Sequence, residues 1–407
     1  MNNLITKYRV AILTSHPIQH QAPLFQKLAK RPEIDLTVYF CWDFGFRKES
    51  YDSEMGRKLK WDIPLVEGYN YKFLKNFSLR PSSGFWGQIN PGIIKELIEN
   101  KYDAVIIFGW NSFTNWLAFL TAFIVKMPVF LRGENPLSQE AFKNPFKLKI
   151  KKIILGWLFR RISAFLYIGE ENKKFYQYYG IPELKLFLCP YADDNERYIS
   201  EAKKLKPKKL IFKKELGIDS KNTVILFVGK LIERKRSFDL LKAYELLTKS
   251  SNLKSESFSL VIVGDGILRP SLEDYAKSRG LKDVYFVGFK NLTELPKYYA
   301  FADILVLPSG VGETWGLVVN IAMCFKLPII VSDLVGCGPD LVKNNKNGYI
   351  FPSGDIDKLI LYLKSLISDT RKRKLFGEKS FKIIGNYSYE KNVDGILKAL
   401  NNNLRLL

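Results

Sequence analysis

The stretch Pro308–Pro328, "PSGVGETWGLVVNIAMCFKLP", decides how the chain is read. It opens as a loop of small residues holding one acid, Glu313. Trp315 and Gly316 follow, and then an almost wholly apolar run that ends at Lys326. The strand-like DILVLPS leads into it and PIIVSD leads out. Strand, loop, buried helix, strand is the repeating unit of a parallel sheet covered by helices. The loop then lies at the carboxyl end of a strand, where such sheets bind ligands.

The alternation extends both ways. TVILFVGK, SFSLVIVGDG and DVYFVGF read as further strands, separated by the helices FDLLKAYELL and LRPSLEDYAKSRG. In the first half YRVAILTS, IDLTVYFCW, YDAVIIFGW, PVFLRGEN, AFLYIGEE and KLFLCPYADD read the same way, and 43–90 reads as irregular. A charge-rich stretch, 201–222, marks a linker or the opening helix of a new unit. The expectation is an α/β chain of two doubly wound, Rossmann-like domains, 1–195 and 196–385. A last helix, 386–407, packs back on the first. Two facing units make the cleft between them the default site.

Composition agrees. A chain of 407 residues suits two domains. With 47% hydrophobic and 26% charged residues it is globular, not disordered. The net charge of +22 fits a polyanionic partner, or lysines spread over solvated faces. No basic–aromatic motif of a nucleic-acid module is present, so nucleic acid is not an expected partner. Cys41, Cys189, Cys324 and Cys337 have no C-x-x-C spacing and read as reduced thiols. Two histidines, His16 and His20, exclude a His-rich metal site. The N-terminus does not read as a signal peptide, and the longest apolar run, WLAFLTAFIV, is about half of the ~20 residues that span a bilayer. The expected location is cytoplasmic, soluble or peripheral on the inner membrane face.

Candidate chemistry sits in the loops after strands. Gly229-Lys230, Gly264-Asp265-Gly266 and Gly288-Phe289 are three of them, and their glycines let a ligand approach the backbone. Lys230 and Lys235 together suit a diphosphate; either alone also reads as a surface lysine. Gly316 opens a helix whose free N–H groups favour an anion. Glu313 caps that helix or accepts hydrogen bonds from sugar hydroxyls. His16, Gln19 and His20 occupy the loop after the first strand; His16 reads as a ligand contact or as a cap of the next helix. Arg132 and Glu134, in LRGEN, are ligand contacts or a buried structural pair. Segment 142–162 holds seven Lys or Arg, no acid, and interleaved apolar residues. It fits anionic lipid headgroups, at about 1 kcal/mol per cation. It also fits a core-packed helix with a solvated lysine face.

At this point a family becomes recognisable. The stretch 308–342 resembles the donor-binding segment of retaining GT-B glycosyltransferases of the GT4 family (bacterial glycosyltransferase group 1). FVGKLIERKRSFDLLKAY, IVGDGILRPSLE, FVGFKNLTELPKYYAFADILVLPS and PYADDNERY resemble family segments in the expected order, as do SHPIQHQAPLF, KLKWDIPLVEGYNY and FLRGEN. The resemblance implies a retaining, metal-independent transferase with no cofactor and a nucleotide-sugar co-substrate. It implies that Glu313 binds donor-sugar hydroxyls and that Lys230 and Lys235 hold the diphosphate. Gly229, Asp265, Gly266, Phe289, Thr314, Trp315, Gly316 and Leu317 would complete the donor site. His16, Gln19, His20, Arg132 and Glu134 would face a glycan or polyprenyl-diphosphate-linked acceptor. The setting implied is bacterial surface polysaccharide synthesis: capsule, O-antigen or lipopolysaccharide. One departure stands out. The family places a second Glu, a ribose ligand, where this chain has Ile321, and Cys324–Lys326 replace the usual small residues. A lost charged hydrogen bond costs about 1.5–3 kcal/mol. The alternative reading is therefore a catalytically degenerate scaffold or partner subunit.

Overall fold

The computed structural model describes residues 7–46, 49–52, 54–249 and 257–404. The chain divides into two units: unit 1 is Met1–Ser50, Ile63–Tyr191 and Tyr389–Leu407, and unit 2 is Tyr51–Asp62 and Ala192–Ser388. The boundary expected between 195 and 196 thus falls between Tyr191 and Ala192. Residues 51–62, expected within the first domain, go with unit 2.

Unit 1 begins with β1 (Tyr8–Thr14) and β2 (Ile34–Phe40). Next in the chain is a short pair, β3 (Ser50–Asp52) and β4 (Arg57–Leu59), which apart from Ser50 goes with unit 2. Then come β5 (Asn70–Phe73), β6 (Ala104–Phe108), β7 (Val129–Arg132), β8 (Ala164–Tyr167) and β9 (Leu186–Leu188). The sheet of unit 1 runs β5-β2-β1-β6-β7-β8-β9, with parallel ladders between all neighbours. Unit 2 contains β10 (Thr223–Val228), β11 (Phe258–Val263), β12 (Val284–Gly288), β13 (Ile304–Leu307), β14 (Ile329–Ser332) and β15 (Gly348–Phe351). Its order is β12-β11-β10-β13-β14-β15, again parallel. The strand order reverses between β1 and β6 in one unit and between β10 and β13 in the other. These switch points are where a doubly wound sheet splays its loops and leaves a crevice.

The sequences explain the strands. Every residue of TVILFV and FSLVIV is buried, as expected when helices cover both faces. β5 is the exception within the stretch read as irregular. Its pattern is mostly exposed, an edge strand with no apolar run to announce it. The charge-rich stretch resolves into helices Asn195–Leu205 and Lys209–Glu215.

The last helix, Tyr389–Leu404, closes unit 1. The Asn392 amide donates to the Pro190 carbonyl at 3.0 Å, the Tyr8 hydroxyl donates to Asn401 at 2.8 Å, and Lys27 pairs with Glu390. Gly395 lies so near the chain after β8 that a Cβ there would stand 2.1 Å from the Leu188 carbonyl oxygen. Gly395→Ala should therefore lower stability by about 1–3 kcal/mol, read as a lower urea midpoint at unchanged slope. An unchanged midpoint would show that the helix does not dock this tightly.

Candidate functional site

The loop after β10 and the loop after β13 flank the switch point of unit 2. The first turns through a short 3-10 helix, Glu233–Lys235, and ends on Arg236 at φ +50°. The second runs from Pro308 to Gly316, at φ +99°, and enters helix Leu317–Cys324. The Gly310 N–H donates to the Arg234 carbonyl at 2.7 Å and ties the two loops. Across that tie the Lys235 ammonium bonds the Glu313 carboxylate, each side chain only 12% exposed. Two residues singled out in the sequence thus meet. Gly316 itself occupies the helix cap, with the N–H groups of the first helical turn beyond it. A carboxylate, an ammonium and a helix N-terminus converge, an arrangement suited to a polyol joined to a phosphate.

Lys230 lies at the same mouth. Its ammonium is 2.8 Å from Asp52 and 2.7 Å from Glu54, and Arg234 reaches Glu54 at 2.8 Å. The Lys230 hydrogen bond, with help from Arg234, holds the Glu54 carboxyl below the usual carboxylate range. Arg234, Asp52 and Glu54 were not singled out from sequence. Arg234 was legible in the run ERKR; the acids were not, because nothing local ties residues 52 and 54 to position 230.

Asp265 accepts from the Gly266 N–H at 3.0 Å and, more loosely, from Arg269 at 3.4 Å. The glycines around it have another purpose than the one expected. A Cβ on Gly264 would stand 1.9 Å from the Gly229 carbonyl oxygen, and one on Gly266 2.5 Å from that of Leu231. They permit the protein's own backbone to approach. Phe289 carries the Arg57 guanidinium at 4.7 Å from its ring centre. Thr314 and Leu317 are half-buried beside the cap, and the Trp315 indole donates to Asn320 at 2.9 Å. Ile321 is only 4% exposed, packed in the apolar interior of its helix.

In unit 1 the switch point opens into a cavity of about 350 Å³ between the loops after β1, β6 and β7. Arg132, Glu134 and the amides of Gln21, Gln88, Asn111 and Asn115 line it, with Trp110 on one wall. The Arg132 guanidinium is buried and donates to the Cys189 carbonyl at 3.2 Å. Burial pushes the Glu134 carboxyl up, against the pull of the Arg132 charge and a Tyr191 hydrogen bond. His16, Gln19 and His20 occupy the loop after β1 but do not line the cavity. His16 bonds Ser15 at 2.9 Å and sets its edge against Trp42 and Phe44. The cap position of the next helix belongs to Gln21, so the capping role considered for His16 is not the one seen. His20 meets the Tyr191 hydroxyl at 2.9 Å. Burial pushes His16 down to about 4; burial first, then the Arg132 charge, pushes His20 down to about 3.

Helix Pro145–Arg160 buries Leu155, Leu158 and Phe159 but leaves Phe146, Ile150, Ile153 and Ile154 exposed. A helix packed with only its lysines in solvent would not do so. Glu140, just outside the acid-free segment, takes Lys143 and Lys151. All four cysteines are buried and unbridged. Among the described residues there is no group of three His, Cys, Asp or Glu that could hold a metal, and no helix long and apolar enough to cross a membrane.

Comparison with known proteins follows this geometry. Residues 208–383 match the family model of glycosyl transferases group 1. An uncharacterized glycosyltransferase of Methanocaldococcus jannaschii is 33% identical over 163 residues, 40% of each chain. The matched stretch thus spans well under half of that relative. An α-1,4-N-acetyl-D-galactosaminyltransferase of Campylobacter jejuni, named for a diNAcBac-PP-undecaprenol-linked glycan, is 28% identical over 69% of each chain. Among solved structures, the Anabaena protein HepE in complex with UDP and glucose superposes with a TM-score of 0.70 at 18% identity, over 97% of this chain and 99% of its own. Sucrose-phosphate synthase of Thermosynechococcus elongatus gives 0.71 at 14% identity, over 98% and 100%. The fold is that of the GT-B glycosyltransferases, and residues 208–383 are similar to the group 1 glycosyl transferase family.

Proposed function

We propose that the chain transfers a sugar from a nucleotide-sugar donor, held by unit 2, to a glycan or lipid-linked acceptor. The observation that carries this is the Lys235–Glu313 pair beside the helix mouth at Gly316, with Lys230 and Arg234 at the same strand end. Glu313 holds the sugar hydroxyls. Lys230, Lys235 and the helix N-terminus take the charge that grows on the departing nucleotide, so no metal is required. Transfer proceeds with retention, the acceptor hydroxyl attacking from the leaving-group face while the donor phosphate takes its proton. The polar cavity of unit 1, rich in amides and backed by Trp110, suits the acceptor glycan. Bacterial surface polysaccharide synthesis is the setting that the undecaprenol-linked glycan in the Campylobacter relative's name supports. A second reading, a degenerate scaffold, rests on Ile321, which leaves the ribose without its usual carboxylate.

Calorimetry against UDP, GDP, ADP and CMP, each with common sugars attached, tests the reading. One nucleotide class should bind, and transfer should survive EDTA. No binding at millimolar concentration would favour the scaffold. Glu313→Gln and Lys235→Met should each lower transfer at least a hundredfold. Either change takes the ion-pair partner from a mostly buried charge, at a cost of up to about 3–5 kcal/mol. The double variant, which removes both charges, is the folding control. Wild-type turnover in either single variant would remove the site.

The histidines supply a pH test. Both sit below their ordinary value, so both are neutral between about pH 5 and 8. The kcat/KM profile should then show no limb near pH 6.5. A limb that disappears in His16→Asn or His20→Asn would contradict their burial.

The exposed apolar side chains of helix Pro145–Arg160, with lysines interleaved, suit an anionic membrane and support a peripheral location on the inner face. It should float with phosphatidylglycerol vesicles, and not with phosphatidylcholine vesicles. Ile153→Asp with Lys149→Glu should abolish flotation. Equal binding to both vesicles, or none, would remove the membrane from the account.

A further inference from the structure

The cations assigned to the donor diphosphate are already engaged by carboxylates from a distant part of the chain. Asp52 and Glu54 both bond Lys230, and Glu54 also bonds Arg234. They belong to the segment Tyr51–Asp62, which leaves the course of unit 1 to join unit 2. The contacts continue along the segment. Arg57 stacks on Phe289 and lies 3.9 Å from Asp265. The Lys60 carbonyl accepts from the Asn291 amide at 3.0 Å, and Asp62 accepts from the Thr293 N–H at 3.1 Å. Lys230 follows β10, Asp265 follows β11, and Phe289, Asn291 and Thr293 follow β12. One segment therefore crosses three adjacent strand mouths, and its acids sit on the cations at one end.

We propose that residues 51–62 are a strap across the donor site, with its two acids Asp52 and Glu54 standing in for the donor diphosphate and yielding Lys230 and Arg234 to it. The proposal rests on the donor-site reading above and adds regulation to it. Two carboxylates carry a charge similar to that of a diphosphate, and both kinds of oxygen accept from an ammonium and a guanidinium. The ammonium has three protons to donate, so it cannot serve two carboxylates and a diphosphate fully at once. The exchange is feasible because the ion pairs of Glu54 are held weakly. The side chains of Lys230, Arg234 and Glu54 are 30%, 39% and 42% exposed, and ion pairs this wet contribute little. A bound nucleotide offers more: two phosphates on the same cations, and a base to replace Arg57 against Phe289. The strap thus sets a threshold that a diphosphate passes and a stray monoanion does not.

The test uses the full chain and titrations of UDP, GDP and ADP. Asp52→Asn with Glu54→Gln removes both charges. The change at position 52 keeps the oxygen that accepts from the Glu54 and Met55 N–H groups, each at 3.0 Å, so the local turn survives. The double variant should bind the accepted diphosphate roughly five- to thirtyfold tighter than wild type. Amide exchange in 54–62 of the wild-type protein should rise when that diphosphate is added. Equal or weaker affinity in the variant would overturn the strap and make the acids organisers of Lys230. If wild type binds and Lys230→Ala loses affinity while the double variant does not gain, the strap fails and the donor reading stands. If no diphosphate binds either protein, both fail together.

Discussion

The contact between Lys235 and Glu313 is the constraint on which unit 2's site depends. Neither side chain has much access to water. A charge so placed is costly alone, and its partner's position is thereby fixed. The pair binds the turn after β10 to the loop after β13, and those strands are neighbours in the sheet. The Gly310–Arg234 hydrogen bond makes the same connection through the backbone. Loop geometry at this switch point is thus specified twice. The carboxylate is held at the mouth of a helix whose interior is apolar, and that answers why an acid stands there at all.

Close backbone packing makes the rest of the mouth rigid. The Leu231 N–H donates to the Asp265 carbonyl at 2.9 Å, and the Gly264 N–H to that of Gly288 at 2.9 Å. The loops after β10, β11 and β12 are therefore stacked on one another, with glycines where a Cβ would collide. Gly336 does the same against the Thr314 carbonyl, 1.9 Å from where its Cβ would be. Side chains at the edge of this layer, Lys230, Arg234 and Phe289, are what remains free to change partners. Rigid backbone with exchangeable side chains is a sound basis for a site that admits one ligand chemistry and releases it.

Legibility in the sequence followed the range of the interaction. Alternation of apolar runs and helical periods is local, and it gave β1, β2 and β6 to β14 with small errors at the ends. Lys235 and Glu313 were legible because each sits at a fixed offset from a strand. β5 was hidden: an exposed edge strand has no apolar signature. So were the carboxylates on Lys230, which arrive from 178 residues away. Burial was the other blind spot. Seven cations without an acid looked free, yet Glu140 holds two of them. Gly264 and Gly266 were placed correctly, but a sequence does not say that the backbone at Gly229 and Leu231 comes close to them.

Ile321 and the strap bear on one question: where donor affinity resides. Ile321 is buried in a helix where Val319, Ala322 and Met323 are buried too, and Asn320 beside it accepts from the Trp315 indole. An isoleucine in that setting costs nothing to desolvate, whereas an unpartnered carboxylate would. On the donor-site reading, affinity then falls on the hexose end, at Glu313, and on the diphosphate, at Lys230 and Lys235. Those are the contacts that carry charge in the transition state. Binding energy spent there discriminates a leaving nucleotide from a resting one better than a ribose contact does. The acids of the strap compete at that same point, so a modest change in their hold on Lys230 shifts the whole response to donor.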